Sequence, residues 1–302
     1  MVYGAENKTV ENCLDDIFEH KLRYQVSGRY IILLKRKPVL IDNPAKQTVV
    51  VQGKIVGADN KPLQYVSVYD FENQTSTMTN SEGEFVFSLE SDEVFKGLSV
   101  AKTGYLDTVF ILNTTVTQDI SLMLQYDSTN ISSLYSYSQN SFEKSTLYRI
   151  FVPKLTRINS QNLSYLQDHK RFQISFLPGI GTNFGRYGIV SNDISINLLI
   201  GYTRSVEVIE FGGLMNFVRQ DVKSFQFAGL SNFVGGNVTG VQIAGISNFV
   251  LDEADAFQLG GIVNMNVGNF EGVQVSGIAN MNVSNSDAAM ISGITNVNIG
   301  TM

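Results

Sequence analysis

The amino-acid sequence predicts a mainly β protein: a small α+β N-terminal domain, a β-sandwich, and an antiparallel transmembrane β-barrel of about eight strands. Three observations predict this fold class. A 16-residue unit recurs six times toward the C-terminus without insertion or deletion. Each unit alternates apolar with polar residues, as a strand does when its two faces meet different surroundings. With the exception of Glu210, charged residues lie between the central segments of the units and not inside them.

The N-terminal residues indicate a helix followed by a hairpin. The segment TVENCLDDIFE at 9–19 has apolar residues at helical spacing, and LRYQV and RYIILLK are predicted strands around a turn at Ser27-Gly28. The stretches ENKTVENCLDDIF and YQVSGRYIILLKRK resemble the secretin and TonB short N-terminal (STN) domain. This resemblance covers residues 1–38 and implies a leading strand, which the sequence reduces to MVYGA.

Residues 47–125 carry an all-β signature. Runs such as EFVFSL alternate between polar and apolar residues, and turn residues such as Asp59 to Pro62 separate the runs. About seven strands of this kind fit a small β-sandwich. The order VxGxIxxxxxxPLxxVxV, TxTNxxGxF and GY over residues 49–124 resembles the carboxypeptidase regulatory-like domain. That resemblance implies no catalytic residues, because the module carries none in its family.

Residues 126–168 are rich in Ser, Asn and Tyr without a sustained period, so they are predicted to be a linker. Residues 169–302 then contain the 16-residue repeat, in which two kinds of position recur. The repeat glycines are Gly213, Gly229, Gly245, Gly261, Gly277 and Gly293. The candidate interior or ladder residues, one glutamate and ten amides, are Glu210, Asn216, Gln226, Asn232, Gln242, Asn248, Gln258, Asn264, Gln274, Asn280 and Asn296.

Two architectures can use this repeat. In a β-solenoid each unit is one coil, and identical side chains stack about 4.8 Å apart as amide ladders. In a barrel each unit is one antiparallel strand of about eleven residues plus a turn, which is long enough to cross a bilayer. The unit is nearly palindromic about its glycine, so antiparallel neighbours would set Asn232 opposite Gln242. Two further strands, RFQISFL and DISINLLIG, bring the total to eight, which favours the barrel.

Charge placement also favours the barrel. Within the nine-residue cores of the six units the only charged residue is Glu210, which lies on the amide-bearing side. A charge that faces lipid at the midplane costs roughly 2 to 4 kcal/mol, whereas a soluble solenoid usually carries Lys and Glu outward. The repeat glycines fit the barrel less well. They would lie in the middle of its lipid-facing side and make that side less apolar than expected. A β-solenoid with 16-residue coils therefore stays the alternative.

Composition and charge exclude several function classes. The net charge of −6 gives no broad basic surface for nucleic-acid phosphates, so nucleic acid is not an expected partner. The two histidines, His20 and His169, are a whole domain apart, which leaves no material for a His-based metal site or triad. The GIGTNFG segment at 179–185 lacks the lysine of a phosphate loop and indicates a turn. We expect no catalytic residues, no metal and no cofactor.

The predicted function follows from these resemblances. STN-like and regulatory-like modules ahead of a barrel are typical of Bacteroidetes-type envelope proteins. In addition, FQISFLPGIGTN followed by GVQIAGISN-type units resembles a family of bacterial surface-repeat proteins. The resemblances imply a non-enzymatic bacterial outer-membrane protein with periplasmic N-terminal domains and lipid around the barrel. Its role would be either signalling in the envelope or binding. The bound partner would be a solute, an envelope protein or a signalling protein. The alternative is a soluble β-solenoid that acts as a surface adhesin or scaffold.

Overall fold

The structure, a computed structural model, describes residues 22–27, 30–35, 47–91, 94–115, 119–128, 142–166 and 168–301. It is mainly β, as the alternating pattern predicts. The helix predicted over residues 9–19 and the leading strand at MVYGA lie outside the described residues. The first described element is an antiparallel hairpin of β1 (Leu22–Ser27) and β2 (Tyr30–Lys35), in which Ser27 pairs with Tyr30.

Residues 47–124 form a sandwich of two sheets. Its strands are β3 (Gln47–Gly57), β4 (Ser67–Asp70), β5 (Thr75–Met78), β6 (Glu84–Ser91), β7 (Phe95–Ala101), β8 (Thr108–Asn113) and β9 (Asp119–Leu124). One sheet has the order β6-β3-β9 and the other β5-β4-β7-β8. Alternate residues of β6 are buried, so Phe85, Phe87 and Leu89 pack into the core between the sheets.

A 3-10 turn and two short helices follow, within the range predicted as a linker: η1 (Phe142–Lys144), α1 (Thr146–Phe151) and α2 (Lys154–Asn162). Helix α2 contacts the sandwich, because Asn159 Oδ1 accepts a hydrogen bond from Ser67 Oγ at 2.7 Å and Asn162 Nδ2 donates to the Tyr65 carbonyl at 2.7 Å. These elements also contact the repeats, since Arg219 and Glu143 form a buried ion pair with an N–O distance of 2.7 Å. They therefore join the sandwich to the repeat region.

Residues 190–298 form a β-solenoid in which each of seven coils contributes one strand to each of two sheets, and the six 16-residue repeats make the last six coils. The long sheet, in the order β11-β10-β12-β14-β16-β18-β20-β22-β24, consists of β10 (Asp168–Leu177), β11 (Ile180–Gly181), β12 (Val190–Asn197), β14 (Val206–Gly212), β16 (Val222–Ala228), β18 (Val238–Ala244), β20 (Ala254–Gly260), β22 (Phe270–Ser276) and β24 (Ser286–Ser292). The short sheet consists, in order, of β13 (Ile200–Thr203), β15 (Met215–Val218), β17 (Ser231–Val234), β19 (Ser247–Val250), β21 (Val263–Asn266), β23 (Ala279–Asn282) and β25 (Thr295–Asn298).

The predicted antiparallel transmembrane barrel is wrong, because neighbouring repeats pair in parallel. Gln226 lies opposite Gln242, and Asn232 lies opposite Asn248, whereas the barrel required Asn232 opposite Gln242. The unit is also not one long strand: it bends at the repeat glycine, between a strand of seven residues and one of four. Both are too short for a bilayer-spanning strand, which needs roughly ten residues. The barrel was one basis for predicting an outer-membrane protein, and the structure gives that prediction no support. The solenoid alternative matches the structure.

The repeat glycines form a column at the bend of each coil. A Cβ atom placed on Gly245 would lie 2.1 Å from the carbonyl oxygen of Gly229, and one on Gly229 would lie 2.1 Å from that of Gly213. Successive bends approach each other too closely for any side chain, so only glycine fits there. This contact explains why a glycine recurs at the same position of every 16-residue unit.

We predict that Gly245→Ala destabilises the solenoid by about 1 to 3 kcal/mol or more, since the added methyl group collides with rigid backbone. Urea denaturation followed by circular dichroism measures the loss. The control is Gly57→Ala in the sandwich, where the added methyl group meets the Asp59 side chain at 3.0 Å and can displace it. Equal stability losses in the two variants would contradict the close approach of the bends.

Candidate functional site

The space between the two sheets of the solenoid is filled by amide side chains. The sequence-predicted residues from Glu210 to Asn280 all point inward and have a relative exposure of 0%. Asn296, on the last coil of this chain, is exposed. Valine columns that include Val222, Val234 and Val238 pack at the opposite bend of the coils. The predicted amides are thus brought together in one interior, and they do not line an open path for a solute.

The glutamines form a ladder along the long sheet. Gln242 Nε2 donates to Gln226 Oε1, Gln258 Nε2 to Gln242 Oε1 and Gln274 Nε2 to Gln258 Oε1, each at 2.9 Å. The net stabilisation from one such bond is about 1 kcal/mol, but a buried amide without a partner costs about 1 to 3 kcal/mol. Each coil is therefore held in register with the next.

The asparagines form a second ladder along the short sheet, with the opposite polarity. Asn216 Nδ2 donates to Asn232 Oδ1 and Asn232 Nδ2 to Asn248 Oδ1, both at 3.0 Å, toward the C-terminus. The second N–H of Asn232 donates to the Ile243 carbonyl at 2.9 Å, which fixes the orientation of the amide. Because the glutamine ladder donates toward the N-terminus, the dipoles of the two ladders oppose each other.

The glutamine ladder ends at Glu210, whose carboxyl oxygens accept hydrogen bonds from three neighbouring side chains. Gln226 Nε2 donates to Glu210 Oε2 at 2.8 Å, while Ser195 Oγ and Asn197 Nδ2 donate to Oε1 at 3.1 and 3.0 Å. A carboxylate accepts all three bonds, whereas a glutamine here would need an acceptor for its own amide N–H groups. Burial raises the pKa of Glu210 to about 7, and the three hydrogen bonds oppose that rise.

We predict a pH dependence of stability that depends on Glu210. Its carboxyl binds a proton more tightly in the folded chain, so stability is greatest below the ordinary pKa of 4.5 and falls as pH rises through about 7. Because Glu210→Gln removes this titration, the unfolding free energy of the wild type should fall relative to the variant by about 3 kcal/mol from pH 4.5 to about pH 8. Urea denaturation at a series of pH values measures the difference.

The matched control for this prediction is Glu271→Gln, which changes an exposed carboxylate in the same sheet. Its stability should follow the wild-type pH profile. If Glu210→Gln also follows that profile, burial of the Glu210 carboxylate does not control the pH dependence.

A third column of amides was missed in the sequence. Gln258 Nε2 donates to Asn266 Oδ1 at 3.1 Å, and Asn266 Nδ2 donates back to Gln258 Oε1 at 2.9 Å, which ties the two sheets together across the interior. Asn282 makes the corresponding bond to Gln274. The recurrence of asparagine at 266, 282 and 298 was the signal that could have revealed this column.

The outward side of the long sheet carries large apolar residues on successive strands. This apolar face includes residues that are each more than a third exposed: Phe172, Ile174, Phe176, Ile196, Val208, Phe211, Phe227, Phe257, Leu259 and Ile291. The adjoining bend adds a column of exposed aliphatic residues: Leu214, Ile246, Ile262, Ile278 and Ile294. A strand spacing of about 4.8 Å and a rise of about 3.3 Å per residue give the face an area on the order of 500 Å². This is at the upper end of what a monomer usually exposes, and such patches are often functional.

Charged residues lie along one border of the apolar face, near the starts of the strands. Lys223 pairs with Glu207 at an N–O distance of 2.8 Å. On later coils Asp255, Glu271 and Asp287 are neighbours in register, which makes an acidic row. The border is therefore mostly acidic where the C-terminal coils lie.

The outward side of the short sheet, in contrast, is covered near its N-terminal end. Phe217 and Phe233 stack with ring centroids 5.0 Å apart, and the buried ring of Tyr148 from α1 packs edge-on against Phe217 at 5.9 Å. Tyr148 also hydrogen-bonds to the Tyr202 hydroxyl at 2.8 Å. Phe217 and Phe233 of the short sheet are thus buried. On the long sheet, in contrast, Phe211, Phe227 and Phe257 are each more than a third exposed.

The described part of the chain contains no helix that is both long enough and apolar enough to span a membrane. Across the same residues, no three or more His, Cys, Asp and Glu side chains are grouped so that they could hold a metal ion. No model of a known protein family matches the sequence, and no curated protein is significantly similar to it. The STN-like and regulatory-like assignments therefore stay predictions that rest on the quoted motifs.

Proposed function

We propose that this protein is a non-enzymatic interaction scaffold, in which the β-solenoid presents the apolar face as a docking surface. One observation carries the proposal: the outward side of the long sheet is apolar from β10 to β24, and on most of these strands it has an apolar side chain that is more than a third exposed. On the short sheet, by comparison, the outward Phe217 and Phe233 are buried in a cluster that includes Tyr148 of α1. A surface scaffold of this kind was the alternative function predicted from the sequence.

The stability of the solenoid does not require an apolar outer face. The coils are held together by the inward amides, the valine columns and the glycine bends, all of which lie inside the coil or at its bends. Polar or charged outward side chains would leave those contacts intact and would raise solubility. The apolar face is therefore best explained by a partner that covers it.

The interior polar groups support a structural role and not a catalytic one. The ladder amides are bonded to each other, and the buried carboxylate of Glu210 accepts three hydrogen bonds from neighbouring side chains. A general acid, base or nucleophile must instead reach a substrate in a cleft. The geometry thus favours a stiff framework.

The sandwich gives the scaffold a second module at one end. Helix α2 connects the two, since Asn159 bonds both to Ser67 of the sandwich and to the Gly185 carbonyl beside the solenoid. The motif resemblances of residues 1–38 and 49–124 support a place in the bacterial cell envelope. There, an envelope or signalling protein would be the partner of the N-terminal modules.

We predict that the double variant Phe227→Lys/Phe257→Lys loses most of the binding of 8-anilinonaphthalene-1-sulfonate, a fluorescent probe of exposed apolar surface. The two rings lie on the apolar face and are 39% and 40% exposed, so lysines there point into water and introduce charge at its centre. The measurement is probe fluorescence at the lowest protein concentration that gives a signal, with circular dichroism to verify folding.

The matched control is Val86→Lys/Ile111→Lys, which places two lysines at exposed apolar positions of the sandwich. This control should keep most of the probe binding. If the control loses the binding and Phe227→Lys/Phe257→Lys retains it, the apolar face is not the docking surface.

A further inference from the structure

We infer that the partner on the apolar face is a second copy of this chain, packed face to face. The inference rests on the proposed function and specifies the partner. It follows from the spacing of the face, from its area, and from the charges along its border.

The spacing of the apolar face is set by the solenoid. Outward residues pair in register with those one coil away, as Phe225 does with Val241 and Phe227 with Ile243, so the face consists of parallel rows about 4.8 Å apart. Two β-sheets pack face to face at about 10 Å, with the side chains of one sheet between those of the other. A second solenoid of this chain presents rows at the same spacing, so it fits the whole length of the face.

The area of the face suits a dimer. Two copies would together bury on the order of 1,000 Å² from the face alone, which is near the lower limit for a specific interface. The exposed column at the adjoining bend, Leu214 to Ile294, can add to this area. An interface of this kind is isologous, because the same surface is used by both copies.

The charges argue against a lipid surface as the partner. Segments that bind membranes usually combine an apolar side with a basic border and interfacial tryptophans. Here the chain contains no tryptophan, its net charge is −6, and the later coils carry Asp255, Glu271 and Asp287 beside the face. Anionic headgroups would be repelled by that acidic row, so a lipid surface is disfavoured as the partner.

The test is sedimentation velocity of the full chain over a range of concentrations, with reductant present so that Cys13 cannot cross-link copies. We expect the wild type and Val86→Lys/Ile111→Lys to form a dimer. Phe227→Lys/Phe257→Lys should weaken dimerisation by at least about a hundredfold, because each substitution acts twice in an isologous interface. Probe binding per wild-type chain should rise on dilution, as the face becomes uncovered.

A wild-type chain that is monomeric at every concentration, or a dimer that persists in Phe227→Lys/Phe257→Lys, would overturn the inference. If the wild type is monomeric but binds the probe, and Phe227→Lys/Phe257→Lys does not bind it, the apolar face is still a docking surface. Only the second copy is then rejected as its partner. Flotation with phosphatidylcholine and phosphatidylglycerol vesicles tests whether a lipid surface is the partner instead. Vesicle binding by the wild type that the variant loses would assign the face to lipid and would also overturn the inference.

Discussion

The architecture of the repeat region depends on one constraint: a buried amide must find its partner one coil away. Each ladder glutamine and asparagine from Asn216 to Asn280 needs both a donor and an acceptor, and water cannot reach these side chains. A slip of one residue would turn the inward amides outward and leave polar groups unpaired in the interior. Parallel stacking of the 16-residue units meets this constraint, because each ladder glutamine then lies next to a glutamine one coil away and each asparagine next to an asparagine.

Other features of the molecule follow from the same arrangement. The glycines let the bends approach closely enough for the ladders to form, and Glu210 supplies the acceptor at the end where the glutamine ladder requires one. Since all of these contacts lie inside the coil or at its bend, the outward positions are left to serve another purpose. On the short sheet they hold α1, and on the long sheet they form the apolar face.

Much of this arrangement could be predicted from the sequence, but the direction of pairing could not. The period and the alternation placed Gln226 and Asn232 on one side of the strand, which is the buried side. The same alternation serves an antiparallel barrel and a parallel solenoid, and the near-palindrome about Gly229 made antiparallel pairing plausible. The bend at that glycine, which splits the unit into two strands, leaves no separate signal in the alternation. The helices were missed because they are short and depend on tertiary contacts, such as the bonds from Asn159 and Asn162 to the sandwich.

The most direct test of the amide ladders is hydrogen exchange of the glutamine and asparagine side-chain NH₂ groups, observed by NMR after selective ¹⁵N labelling. The account predicts that the amide protons of Gln242 and Asn248, both fully buried, exchange orders of magnitude more slowly than those of the exposed Gln64. If Gln242 and Asn248 exchange as fast as Gln64, the amides are not bonded in ladders and the solenoid is not held together in this way.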